Sequence, residues 1–130
     1  MLDHVTIPVS SRRSLDLYLR AFAPLGWRLF MELTREQVPD LPAPWFAGIG
    51  PENRPVLWLR EERGAIASTH VAAHAEKRTE VDAFHRAALE AGMADHGAPG
   101  LRPQYTPTYY GAFVLDPDGH NLEAVCHNAA

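Results

Sequence analysis

Cysteine is nearly absent from this chain: of 130 residues only Cys126 carries a thiol, so no internal disulfide staples the fold. Cys126 lies in an apolar stretch and reads as a small buried core residue rather than a reactive nucleophile. No apolar run is long enough to cross a bilayer and no charged-then-apolar leader opens the sequence, which makes the cytosol the expected compartment. Positive charge is also in short supply. Twelve Lys plus Arg stand against sixteen Asp plus Glu, a net charge of −4 with the signs mixed and no basic stripe, and this argues against nucleic-acid or anionic-membrane partners. A glycine-rich phosphate loop, a Cys-pair zinc motif and a serine nucleophile elbow are all missing. Small molecules and protein partners remain.

What the chain does have is a core and a repeat. At 46% hydrophobic residues, 130 residues are enough for one packed domain. A segment opening at His4 recurs at His70, an offset of 66 residues. At that spacing Val5 falls on Val71, Arg12 on Arg78, Asp16 on Asp82, Tyr18 on Phe84, Arg20 on Arg86 and Gly26 on Gly92. A gap-free self-match of this kind predicts two structurally equivalent modules. The boundaries read as module one 1–60, a charged linker 61–67 containing Gly64, and module two 68–130, within one domain.

Each module reads as strand, helix, then strands. Over residues 2–9, Val5, Ile7 and Val9 alternate with His4, Thr6 and Pro8. Ser10 and Ser11 are placed to cap a helix whose apolar stripe is Leu15, Tyr18, Leu19 and Phe22, ended by Pro24 and Gly26. Short strands follow at 27–32, 45–49 and 56–59, punctuated by prolines. The second module opens with a strand over 68–75. Its helix has Thr79 and Asp82 in the spacing of a capping box, a stripe of Val81, Phe84, Ala88 and Leu89, and Gly92 at the C-terminal cap. Residues 97–107 read as a Gly/Pro-rich loop, 109–115 and 121–127 as strands, and Asp116-Pro117-Asp118-Gly119 as the tight turn between them. The fold expected is α+β, with two pseudo-symmetric βαβββ modules whose mixed sheets curve around a shared cleft.

Alternation turns Val5, Ile7, Val71 and Ala73 toward the helices and leaves His4 and His70 on the opposite, concave faces. Glu123 is a carboxylate flanked by Leu122 and Ala124, and an ionised group inside a sheet needs a charged partner, hydrogen bonds or a metal. His4, His70 and Glu123 together make a two-histidine, one-carboxylate facial set, which suits a divalent transition metal with open positions for substrate. The competing reading is two strand histidines bonded to backbone carbonyls and a glutamate paired with an arginine. His74 is on the His70 face, as an acid-base group or as a strand-end histidine. Tyr109, Tyr110 and Arg102 flank the loop expected to close over the cleft, where a phenol or guanidinium holds an anionic or carbonyl oxygen. His85, His96, His120 and His127 read as exposed or capping histidines. Trp45, Phe46 and Trp58 read as packing, with Trp58 a candidate cleft wall.

Five stretches make the chain recognisable: Leu2-Asp3-His4-Val5-Thr6-Ile7-Pro8-Val9, Thr69-His70-Val71-Ala72, Val81-Asp82-Ala83-Phe84-His85, Gly97 to Pro103, and Tyr109 through Asp116-Pro117-Asp118-Gly119 to Asn121-Leu122-Glu123-Ala124-Val125. In these it resembles the vicinal oxygen chelate superfamily, which contains glyoxalase I, extradiol dioxygenases, fosfomycin-resistance thiol transferases and bleomycin-resistance proteins. The resemblance implies a cleft between paired modules, a divalent metal ion (Mn, Fe, Ni, Co or Zn) held by His4, His70 and Glu123, and a homodimer. The family's fourth ligand position falls near Leu57 or Trp58, neither of which ligates, so the chain is less similar to glyoxalase I than to the three-ligand members. Ring-cleaving dioxygenases usually carry two further modules. The functions implied are a metal-dependent lyase or transferase acting on a small molecule, or metal-free ligand binding and drug sequestration of the bleomycin-resistance type.

Overall fold

A computed structural model describes residues 1–129. The elements run β1 (Val5–Val9), α1 (Arg13–Phe22), a 3-10 turn (Ala23–Leu25), β2 (Trp27–Thr34), β3 (Trp45–Pro51), β4 (Leu57–Glu61), β5 (His70–His74), α2 (Arg78–Ala91), β6 (Ala94–Leu101), β7 (Tyr110–Leu115) and β8 (Asn121–Cys126). They form two four-stranded mixed sheets of order β1-β4-β3-β2 and β5-β8-β7-β6. In each, the first strand runs parallel to the last and the rest pair antiparallel. This is the βαβββ pattern twice.

The β6 strand corrects the sequence reading, which took 97–107 as loop. Gly97, Pro99 and Gly100 speak against a strand locally. Pairing with β7 overrides them, at the cost of register shifts between Asp95 and Gly97 and between Gly97 and Gly100. The capping box on α2 is also absent. The helix starts at Arg78 with Lys77 as its N-cap and no side-chain cap, so Thr79 is already inside the first turn, and the Asp82 carboxylate instead accepts the Tyr110 hydroxyl at 2.6 Å. Leu89, assigned to the apolar stripe, is exposed. The C-terminal caps are as expected, with Gly26 and Gly92 at φ of 80° and 109°, conformations only glycine adopts cheaply.

Both modules share one hydrophobic core. Ile7, Val9, Leu57 and Leu59 from the first sheet and Ala73, Leu122, Ala124 and Cys126 from the second meet Leu15, Tyr18, Phe22, Val81, Phe84 and Ala88 of the two helices. Phe22 stacks on Trp27 at 4.6 Å between ring centres and lies 5.2 Å from Phe84. The Asp116–His120 turn is the polar latch between modules. The Asp116 carboxylate accepts the Tyr18 hydroxyl at 2.6 Å, and Asp118 accepts the Ser10 N–H at 2.9 Å. His120, read from its turn position as exposed or capping, is fully buried and caps a backbone N–H. Thr69 N–H donates to its Nδ1 at 3.0 Å while its Nε2 donates to Pro8 O at 2.6 Å. One imidazole thus bridges the edge of β1 to the start of β5, in the Nε2–H tautomer.

Burial, reinforced by the Asp116 charge, pushes the Tyr18 phenol well above its ordinary range. The unfolded chain therefore releases this proton first, and the stability held below a pH of about 10 falls as pH rises beyond it. Urea denaturation at increasing alkaline pH is expected to show that decline, with a shallower slope in Tyr18→Phe. Equal slopes in the two proteins would remove Tyr18 as its cause.

Candidate active site

The parallel pairing of β5 with β8 sets Ala72 beside Glu123, and the β7–β8 hairpin sets Phe113 opposite Glu123. Alternation then gathers His70, Glu123, Gly111 and Phe113 on one face of the second sheet. The Glu123 side chain is 1% exposed. One oxygen accepts His70 Nε2–H at 2.8 Å, and the other accepts the Tyr109 hydroxyl. A side chain at Gly111 would come within 3.2 Å of Glu123 Oε2 and 3.1 Å of the Tyr109 ring, so the glycine is the space in which carboxylate and phenol meet. Burial and the adjacent carboxylate hold the Tyr109 phenol protonated above its usual range. The partners of Glu123 are a histidine and a tyrosine, not the arginine of the competing sequence reading.

His70 is half exposed, and its ring centre is 6.2 Å from Phe113. It is also part of the wall of an open cavity of ≈ 810 Å³, shared with His4, Asp3, Trp27, Arg54 and His74. Glu123 and Tyr109 lie outside that wall, so His70 is the point where the cavity meets the buried carboxylate. His4 is half exposed, holds Asp3 at 2.6 Å and lies edge-on to Trp58 at 6.5 Å. The register of β1 on β4 sets Thr6 beside Trp58 as that of β5 on β8 sets Ala72 beside Glu123. Thr6 and Ala72 are equivalents in the repeat, so Trp58 stands where the second module has its carboxylate.

The remaining sequence-predicted site residues divide. His74 lines the cavity but is exposed and paired with Glu76 at 3.2 Å. Tyr110 points to the helix side, hydrogen-bonded to Asp82 under the Arg78 guanidinium, and does not join the Glu123 group. Arg102 lies over Phe113 with its guanidinium carbon 5.5 Å from the ring centre. Phe113 was missed as a site residue. The signal was present, since the four-residue turn at Asp116–Gly119 fixes its register with Glu123.

A divalent ion suits this donor set in kind, an imidazole nitrogen and a carboxylate oxygen converging on one locus. In number the set is short. Among the described residues no three His, Cys, Asp or Glu side chains stand close enough together to hold a metal; His4 borders the same cavity without joining the His70–Glu123 pair.

No family model matches the sequence, and no curated protein does. Solved structures do. A glyoxalase/bleomycin resistance protein from Albidiferax ferrireducens superposes with a TM-score of 0.72 at 18% identity, over 95% of this chain and 96% of that one. A glyoxalase/bleomycin resistance protein/dioxygenase family enzyme from Burkholderia phytofirmans gives 0.67 at 16% identity, over 98% of both. The fold is that of the vicinal oxygen chelate superfamily. A glyoxalase I variant from Zea mays gives 0.69 at 25% identity over 95% of this chain but 45% of its own, so the present chain spans about half of that protein.

Proposed function

We propose that this vicinal oxygen chelate chain is an enzyme of the lyase or transferase class, acting on a small oxygen-bearing molecule at His70. Its divalent metal would be held by His70 and Glu123 and completed by His4, which lines the same cavity and would have to swing from Asp3 toward the pair to become the third donor. The observation that carries this reading is the fully buried Glu123 carboxylate reaching a cavity-lining histidine, with the repeat-equivalent histidine His4 on the wall of the same cavity. A divalent ion there would supply Lewis acidity toward substrate oxygens. The chain's own groups do the rest. Tyr109 keeps a proton on the phenol against Glu123 and fixes the carboxylate's orientation, as outer partners of ligating groups do. Phe113 flanks His70, its ring centre 6.2 Å away, and would orient the imidazole. Trp58 replaces the fourth donor, which speaks against the four-ligand chemistry of glyoxalase I.

The test is metal content of tag-free protein, alongside saturable binding of Mn(II), Fe(II), Co(II), Ni(II) and Zn(II), in the wild type and in His4→Ala, His70→Ala and Glu123→Gln. About one ion per chain is expected, with affinity falling in each folded variant by more than the about 10- to 100-fold that loss of a ligand's outer partner costs. Absence of saturable binding of all five ions would overturn the reading and leave metal-free small-molecule binding. A homodimer is part of the same proposal and is read from sedimentation of the same samples.

A further inference from the structure

Arg102 is a cation without a carboxylate. No acidic group among the described residues lies within 4.0 Å of its guanidinium. Its position is nevertheless built. The Arg102 N–H donates to Tyr109 O at 2.7 Å, closing the 102–109 loop, and Nη2 donates to Ala98 O at 2.7 Å. The side chain lies across two gaps in β6. A Cβ on Gly97 would meet Nη2 at 3.4 Å and the Phe113 ring at 2.9 Å, and one on Gly100 would meet Nη1 at 3.1 Å. The same two glycines that weaken β6 as a strand make room for the guanidinium to lie flat. Beneath it is the Phe113 ring, and beyond Phe113 is His70. Cation, aromatic ring and imidazole thus form a row ending at the edge of the cavity.

A guanidinium has five N–H donors in a planar fork, and one backbone carbonyl occupies a small part of it. Such a fork binds a carboxylate through two parallel hydrogen bonds, the ring below holds the guanidinium in place, and the ring's exposed edge offers apolar surface beside the anion. We infer that Arg102 is the anion clamp of this site and that the substrate is a carboxylate carried on a flat apolar group that lies beside the part-exposed edge of Phe113. This deepens the proposed function and rests on its reading of His70 as the place of reaction.

The test uses metal-free protein in chelator, titrated with phenylacetate and with phenylacetamide, its neutral counterpart, and followed by amide chemical shifts. Phenylacetate is expected to bind about tenfold more tightly than the amide, with shifts centred on Arg102 and Phe113 and with affinity falling as salt rises. Arg102→Gln should erase the difference between the probes and Arg102→Lys should keep part of it, while Phe113→Ala should weaken both alike. Equal binding of the two probes, no saturable binding of either, or discrimination that survives in Arg102→Gln would each overturn the inference. Since no metal is present, failure here leaves the metal reading standing, and failure to retain metal leaves the clamp standing.

Discussion

Asp116→Ala is expected to lower the unfolding free energy by about 3–5 kcal/mol, the cost of breaking a buried, charged hydrogen-bond group by removing one partner. The carboxylate, 5% exposed, accepts three hydrogen bonds: the Tyr18 hydroxyl at 2.6 Å, Asp118 N–H at 2.9 Å and His120 N–H at 2.8 Å. Alanine leaves a buried phenol and two backbone donors unpaired. It also loosens the turn that holds His120 between Pro8 and Thr69, so the damage reaches the contact between modules. Urea denaturation followed by tryptophan fluorescence measures it. Asp116→Asn retains an acceptor for the turn and should cost about 1–2 kcal/mol. A loss below about 1 kcal/mol in Asp116→Ala would mean that the latch is solvated and the modules are joined by apolar packing alone.

Phe22→Ala is expected to cost a similar amount, about 3–5 kcal/mol, from lost transfer free energy plus the cavity left behind. The ring is fully buried and touches both halves of the molecule, stacked on Trp27 of its own module and against Phe84 of the other helix. The partners are large rings fixed by their own helix and strand, so the site has little scope to collapse. Because the core is shared, far-UV circular dichroism and tryptophan fluorescence should report one coincident transition shifted to lower denaturant. All three tryptophans are in the first module. A fluorescence transition that moved without the dichroism would show the modules to be separate folding units.

The folded architecture was legible in the sequence where local chemistry and burial agree. The self-match from His4 to His70 announced two equivalent modules, and period-2 alternation separated Ile7 and Ala73 from His4 and His70. Gly26 and Gly92 marked helix ends that need a left-handed residue. Asp116 to Gly119 fixed a hairpin and with it the pairing of Phe113 with Glu123. The β6 strand was illegible because its glycines and proline oppose extended pairing locally, and only a β7 strand already in place makes the pairing favourable. For His120 the capping role was legible and the burial was not: a histidine at a turn is ordinarily solvated, and nothing in the local sequence shows that the other module closes over it.

The same division holds in the site. From the sequence alone came the residue types and faces: His70 and Glu123 on one side of a sheet, His4 at the equivalent place in the first module, Arg102 and Tyr109 near the loop. Which of them meet was decided by tertiary structure. Tyr109 reaches Glu123 because Gly111 leaves room, whereas Tyr110, one residue on, turns to the helix and Asp82 because successive strand residues face opposite ways. Trp58 occupies the place equivalent to Glu123 because the β1–β4 register puts it beside Thr6. Sequence fixes what a residue can bond and which face of its own element it is on; distances between residues of different elements follow from how the sheets and helices pack, and that packing is set by the whole core at once.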